Sequence, residues 1–185
     1  MIKVYDDLIP VHLQDFFELS ILGRTDKEDE CLHPTIDLRC KYESTSREND
    51  HTPMSFTHVL KSSSKVSDHL DNFGLIPQIV CSEENVILRE IITARIFLTV
   101  PHKTNLKNYA AHTDFDFPHH VCLYYVNNAD GPTVFYDQEE KIIDQVMPKK
   151  GRVVFFDGLI KHGGGIPRNG PRCIVNYDIL TKGIT

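Results

Sequence analysis

Hydrophobic positions along the chain follow two different periods. Val11, Leu13, Phe16, Phe17, Leu19 and Ile21 recur at helical spacing, with Pro10 near the start and Gly23 after them, and predict one amphipathic helix. Leu70, Phe73, Leu75, Ile76, Ile79 and Val80 predict a second helix over Val66 to Glu84, in spite of Gly74 and Pro77. Between the two, residues 24–53 lose periodicity and fill with charged and hydroxyl side chains, as in Tyr42-Glu43-Ser44-Thr45-Ser46. That composition predicts a long surface loop or lid with at most one short strand, Thr35 to Cys40. Ser62-Ser63-Ser64 marks a second loop.

From residue 91 the pattern shortens. Ile91 to Val100, Val121 to Val126, Thr133 to Asp137, Arg152 to Asp157 and Cys173 to Leu180 are short β-rich runs, separated by turn clusters at 127–132, 149–151 and 163–171. Helices that precede strands rather than alternate with them predict a mainly β (α+β) fold, a closed or double-sheet antiparallel structure with the helices outside one sheet. One domain is expected, with residues 1–90 as helical and loop support and 91–180 as the β core.

Composition narrows the function. The 20 basic and 26 acidic residues leave a net charge of −6, and no basic block exceeds two residues, so nucleic acid is a disfavoured partner. No apolar run approaches the roughly 20 residues of a membrane-spanning helix. Acids in the first residues, Asp6 and Asp7, predict an unexported chain. Five cysteines, an odd number without CxxC spacing, predict reduced packing residues and a cytoplasmic location.

Three places carry chemistry. If His112-Thr113-Asp114 ends a strand, a period of two puts imidazole and carboxylate on one face, close enough to share a metal. Asp116 shares that alternation and competes with Asp114. His162 follows the apolar strand Val153-Val154-Phe155-Phe156 and, reaching across a small barrel, would complete a two-histidine, one-carboxylate face that leaves coordination positions open and suits iron(II). Arg172 opens the strand after the glycine-rich turn, where its planar fork can grip the far carboxylate of a five-carbon 2-oxo diacid, 2-oxoglutarate. Arg168, inside the predicted turn, is the competitor.

Tyr109-Ala110-Ala111-His112-Thr113-Asp114, Leu123-Tyr124-Tyr125-Val126-Asn127, Asp130-Gly131-Pro132-Thr133-Val134 and Pro148 to Phe156, followed by His162 and Arg172, together resemble the iron(II)- and 2-oxoglutarate-dependent oxygenases of the prolyl 4-hydroxylase-like branch, small members of which are encoded by phages and bacteria. The match spans residues 92–180. It implies a double-stranded β-helix, or cupin-like jelly roll, with His112, Asp114 and His162 on iron and Arg172 on the distal carboxylate of 2-oxoglutarate. It also implies that Tyr125 donates its hydroxyl to that carboxylate and that Tyr109 faces the iron and substrate side. Family spacing selects Asp114 over Asp116. The implied reaction hydroxylates a C–H bond with dioxygen and releases succinate and carbon dioxide, with ascorbate as a candidate reductant. A peptide or protein residue, proline among the options, is the first substrate choice, ahead of a small molecule. A nucleobase demethylase of the same chemistry would want a basic groove. A non-redox cupin-like metal protein keeps the three ligands but has no need of Arg172.

The remaining candidates read as structure. His119 and His120 are adjacent and must face opposite ways on a strand, with substrate contact the more plausible site role. Tyr124, Phe135, Phe155 and Phe156 read as core, and Asp137 and Asp157 as turn formers. His12, His33, His51, His58, His69 and His102 have no partner pattern.

Overall fold

A computed structural model of the chain describes residues 1–25, 31–32, 34–41, 55–102 and 104–183. Most of the expected lid at 24–53, with His33 and His51, lies outside the described residues. The elements run β1 (Ile2–Tyr5), α1 (Val11–Leu22), β2 (Arg24–Thr25), β3 (Cys31–Leu32), β4 (Arg39–Lys41), β5 (Ser55–Lys61), α2 (Leu70–Phe73), α3 (Leu75–Glu83), β6 (Val86–Thr99), β7 (His120–Tyr125), β8 (Thr133–Tyr136), β9 (Ile142–Val146), β10 (Val153–Asp157), β11 (Lys161–Gly164) and β12 (Arg172–Gly183). Among the described residues no helix is long and apolar enough to cross a membrane.

The first predicted helix forms within its predicted limits. The Pro10 carbonyl accepts from the amides of Leu13 and Gln14, and Gly23 ends the helix at φ 68°, which glycine adopts without a Cβ penalty. The second predicted helix is two. Gly74 separates α2 from α3, and Pro77 falls in the first turn of α3, where its missing N–H costs nothing. Val66 makes only an isolated bridge to Lys61. The predicted strands in the second half all form, and β6 and β12 run longer than their patterns suggested.

A seven-stranded sheet in the order β1-β10-β7-β12-β6-β5-β4 faces a three-stranded sheet in the order β11-β8-β9. The pairs are antiparallel, and strands of the first ninety residues join the larger sheet beside those of the second half. Alternation along each strand divides the larger sheet between two cores. One face, carrying Ala94, Ile96, Cys122, Tyr124, Phe155, Val175 and Tyr177, packs against Phe17, Phe73, Ile76 and Val80 of the helices. Phe17 meets Phe73 at 4.8 Å and stands edge-on to Tyr124 at 5.7 Å between ring centres. The Tyr177 hydroxyl donates to the Phe73 carbonyl at 2.8 Å, tying β12 to α2. The other face, with Val121, Leu123, Tyr125, Val154, Phe156 and Ile174, closes on Phe135 and Val146 of the smaller sheet. This is the double-stranded β-helix with helices packed outside. The thiols of Cys40, Cys81, Cys122 and Cys173 are all free.

Candidate metal centre

His112 and His162 are brought side by side by backbone pairing. The segment 107–112 runs antiparallel to β11 through isolated bridges at Asn108–Gly165 and His112–His162, so the histidine–aspartate triplet is not the end of a regular strand. Each histidine amide donates to the other's carbonyl, at 3.0 and 2.9 Å, and cross-strand partners of this kind project to one side. Glycine lets these backbones come this close: a Cβ on Gly163 would stand 2.8 Å from the Tyr109 carbonyl oxygen.

The imidazole Nδ1 of His112 lies 3.1 Å from the Ala110 carbonyl, and that of His162 lies 3.2 Å from the Ile160 carbonyl. A carbonyl can only accept, so each Nδ1 carries the proton and each Nε2 is left with a free lone pair. Those two Nε2 atoms and an Asp114 carboxylate oxygen lie within 4.8 Å of one another. Asp114 Oδ2 is 3.5 Å from His162 Nε2, and Oδ1 is 3.8 Å from His112 Nε2. The side chain of His162 is 7% exposed, walled by Phe156 and Phe135, whereas that of His112 is 52% exposed, so the cluster opens on the His112 side. Burial alone would raise the Asp114 pKa, but the hydrogen bond and charge that His162 offers in its protonated form, with the charge of a protonated His112, outweigh it and hold the carboxyl well below the usual range. Two nitrogens and one carboxylate oxygen converging with an open side are a donor set that fits iron(II).

Behind Asp114 lies a polar group that the sequence reading missed. The Asn176 amide reaches Asp114 Oδ2 at 3.4 Å. Asp178, buried, accepts from Thr93 Oγ1 at 2.5 Å and lies 3.7 Å from His119 Nε2. Burial and then the charge of Asp114 push the Asp178 pKa up. His119 therefore faces this buried cluster rather than the opening, while His120 turns to the opposite face and stacks on Phe155 at 4.9 Å. Asp116 is exposed and outside the cluster. Alternation from Arg172 through Asn176 to Asp178 was the available signal for the missed residues.

Arg172 lies on that same face of β12 and is buried. Its Nε donates to the Gly131 carbonyl and its Nη2 to Thr133 Oγ1, both at 2.8 Å. Nη1 has no hydrogen-bond partner among the described residues and faces Gly164, where a Cβ would sit 3.5 Å from it. The Tyr125 hydroxyl is 2.6 Å from Thr133 Oγ1 and 3.1 Å from the Val146 carbonyl, and the Arg172 guanidinium lies over the Tyr125 ring at 5.6 Å. Thr133 thus joins Tyr125 to Arg172; it lies in the Asp130-to-Val134 stretch of the resemblance, which gave it no role of its own. The Tyr109 hydroxyl is buried without a partner, close enough to Arg172 to feel its charge, and burial pushes its pKa up. An unpartnered cationic amino group beside an unpartnered buried hydroxyl fits the carboxylate of a small diacid. Arg168 instead braces loops, donating to the carbonyls of Thr104 and Leu106.

No family model matches the sequence, and no curated protein matches it. Solved structures do. An oxidoreductase of the 2-oxoglutarate–iron(II) oxygenase family from Burkholderia pseudomallei has a TM-score of 0.68 at 10% identity, over 96% of this chain and 84% of that one. A prolyl hydroxylase from Trichoplax adhaerens, in complex with a peptide of the oxygen degradation domain of hypoxia inducible factor, has a TM-score of 0.67 at 11% identity, over 97% and 83%. A viral collagen prolyl hydroxylase from Paramecium Bursaria Chlorella virus-1, in its 2-oxoglutarate complex, has a TM-score of 0.56 at 12% identity, over 96% and 94%. Since nearly the whole of this chain aligns in each case, its fold is the double-stranded β-helix of the 2-oxoglutarate oxygenases.

Proposed function

We propose that the protein is an iron(II)- and 2-oxoglutarate-dependent oxygenase that hydroxylates a C–H bond of a peptide or protein residue, proline among the candidates. The observation that carries this reading is the presence, in one barrel, of the His112–Asp114–His162 cluster and a buried Arg172 with one amino group unpartnered. A metal-binding jelly roll without redox turnover has no use for that arginine.

His112, Asp114 and His162 would hold iron(II), and Arg172, Tyr109 and Thr133 the distal carboxylate of 2-oxoglutarate, with Tyr125 acting through Thr133. Bound iron and cosubstrate would supply the activation of dioxygen that inserts one oxygen atom into an unreactive C–H bond, with 2-oxoglutarate giving the two electrons and leaving as succinate and carbon dioxide. The chain's own part is orientation. The Ala110 and Ile160 carbonyls fix the imidazole tautomers, Asn176 steadies the Asp114 carboxylate, and Phe135 and Phe156 keep water from the His162 side. A peptide substrate is supported by the open His112 side and by the peptide complex of the Trichoplax enzyme. Free, buried Cys81, Cys122 and Cys173 support a reducing compartment, the cytoplasm.

The test is the anaerobic visible spectrum of the iron(II) protein before and after 2-oxoglutarate is added. A new metal-to-ligand charge-transfer band is expected; its absence from folded, iron-loaded protein would overturn the proposal.

A further inference from the structure

The site face of the larger sheet continues past the metal cluster onto strands that the smaller sheet does not cover. The inner core reaches only to Phe97 on β6, while the same face extends over β5 and β4. Arg95 stands directly opposite Asn176 in the β12–β6 register, and Asn176 touches Asp114. Ala94 and Ile96 are buried in the helix-side core, so Arg95 projects to the site face. Arg39 lies on this face as well, opposite Thr57, which is opposite Phe97. Both arginines are exposed, and neither has a hydrogen bond or ion pair among the described residues. By contrast Lys3, Lys61, Lys149, Lys150, Arg152 and Lys161 are each paired with a carboxylate. In a chain of net charge −6, two unpaired guanidinium groups thus lie on the sheet face that carries Asn176, Arg95 one strand and Arg39 three strands away from β12.

We propose that this ledge is the substrate subsite and that it selects an acidic peptide. From β12 to β4 there are three interstrand steps of about 4.8 Å, so the ledge is roughly 14 Å wide, which matches about four residues of extended peptide. A glutamate or aspartate within about four positions of the oxidised residue is gripped by Arg95, whose fork takes a carboxylate through two parallel bonds, and Arg39 serves acids further out. This inference rests on the oxygenase reading above.

The test pans a random heptapeptide library on the nickel(II)-loaded, 2-oxoglutarate-bound protein. Several-fold enrichment of acidic residues is expected, turning to basic residues in Arg95→Glu and persisting in Arg89→Gln, a change at an exposed position of the same strand. Neutral, basic or no enrichment by the wild type, or acidic enrichment that survives Arg95→Glu, overturns the subsite. The iron(II) charge-transfer band is measured on the same preparations. A band without acidic selection refutes the ledge and leaves the oxygenase standing, whereas no band removes both. A tenfold or larger shift of the 2-oxoglutarate midpoint in Arg95→Gln would make Arg95 a cosubstrate residue and also overturn the subsite.

Discussion

Replacing Arg172 by glutamine tests the cosubstrate end of the site in isolation, since Arg172 touches none of the three candidate metal ligands. In the folded chain the guanidinium spends two donor groups on Gly131 and Thr133 and keeps one, Nη1, for a ligand. Loss of one charge-assisted hydrogen bond removes about 1.5–3 kcal/mol, which at 1.4 kcal/mol per decade is roughly a tenfold to 150-fold weaker hold on 2-oxoglutarate. The Gly131 carbonyl and the Thr133 hydroxyl also lose a donor, at about 1–3 kcal/mol each if nothing replaces it, so thermal unfolding is followed in parallel. Arg172→Lys keeps the charge without the fork and is expected to fall between wild type and glutamine. The assay is titration of the anaerobic charge-transfer band with 2-oxoglutarate. A midpoint within twofold of wild type, in a folded and iron-loaded glutamine variant, refutes the role given to Arg172.

Three further outcomes are expected. Tyr124→Phe removes a buried hydroxyl without a partner and should raise stability by about 1 kcal/mol, or about 2–4 °C in melting temperature for a chain of this size; a fall would show that the hydroxyl is satisfied. Asp6, hydrogen-bonded by Arg152, has its pKa lowered from 3.8 to about 2, so its contribution is present above pH 4 and disappears as the pH falls through 2. Asp6→Asn should therefore narrow the loss of melting temperature between pH 4 and 2, and parallel curves for the two proteins would refute this. Gly165→Ala sets a Cβ 2.5 Å from the Pro132 ring and 2.7 Å from its backbone nitrogen, neither of which can rotate away. Denaturant unfolding should show a loss of about 2–4 kcal/mol, and a loss under about 0.5 would mean that the close approach is not rigid.

Local chemistry explains what could be read from the sequence and what could not. Pro10 and Gly23 bracket α1 because a missing N–H and a left-handed φ are properties of single residues. Five strands of the second half were legible through their β-branched and aromatic runs. Strands β1, β5, β9 and β11 were not. Lys161-His162-Gly163-Gly164 has poor strand propensity and is extended only because β8 lies on one side and residues 107–112 on the other, so the glycine-rich turn expected from residue 163 begins later. Strand β9 exposes Ile142 and Ile143, reversing the usual burial cue. For the site, His112, Asp114, His162 and Arg172 were visible as residue types at telling spacings. Asn176 and Asp178 share the alternation that begins at Arg172, but they, Thr133 and Arg95 acquire partners through cross-strand register, which depends on residues far away in the chain.

The register of β12 has a consequence for how this protein can change. Cys173, Val175, Tyr177 and Ile179 are sealed in the helix-side core, while Arg172, Ile174, Asn176 and Asp178 face the barrel interior. Odd positions are thus constrained by volume and even positions largely by chemistry, and the two constraints are interleaved along a single strand. Inserting or deleting one residue here would exchange them, driving a guanidinium, an amide and a carboxyl into oil and presenting a thiol, a valine and a phenol to the barrel interior. Substitutions can tune either face independently, whereas a change in strand length would remove stability and chemistry together.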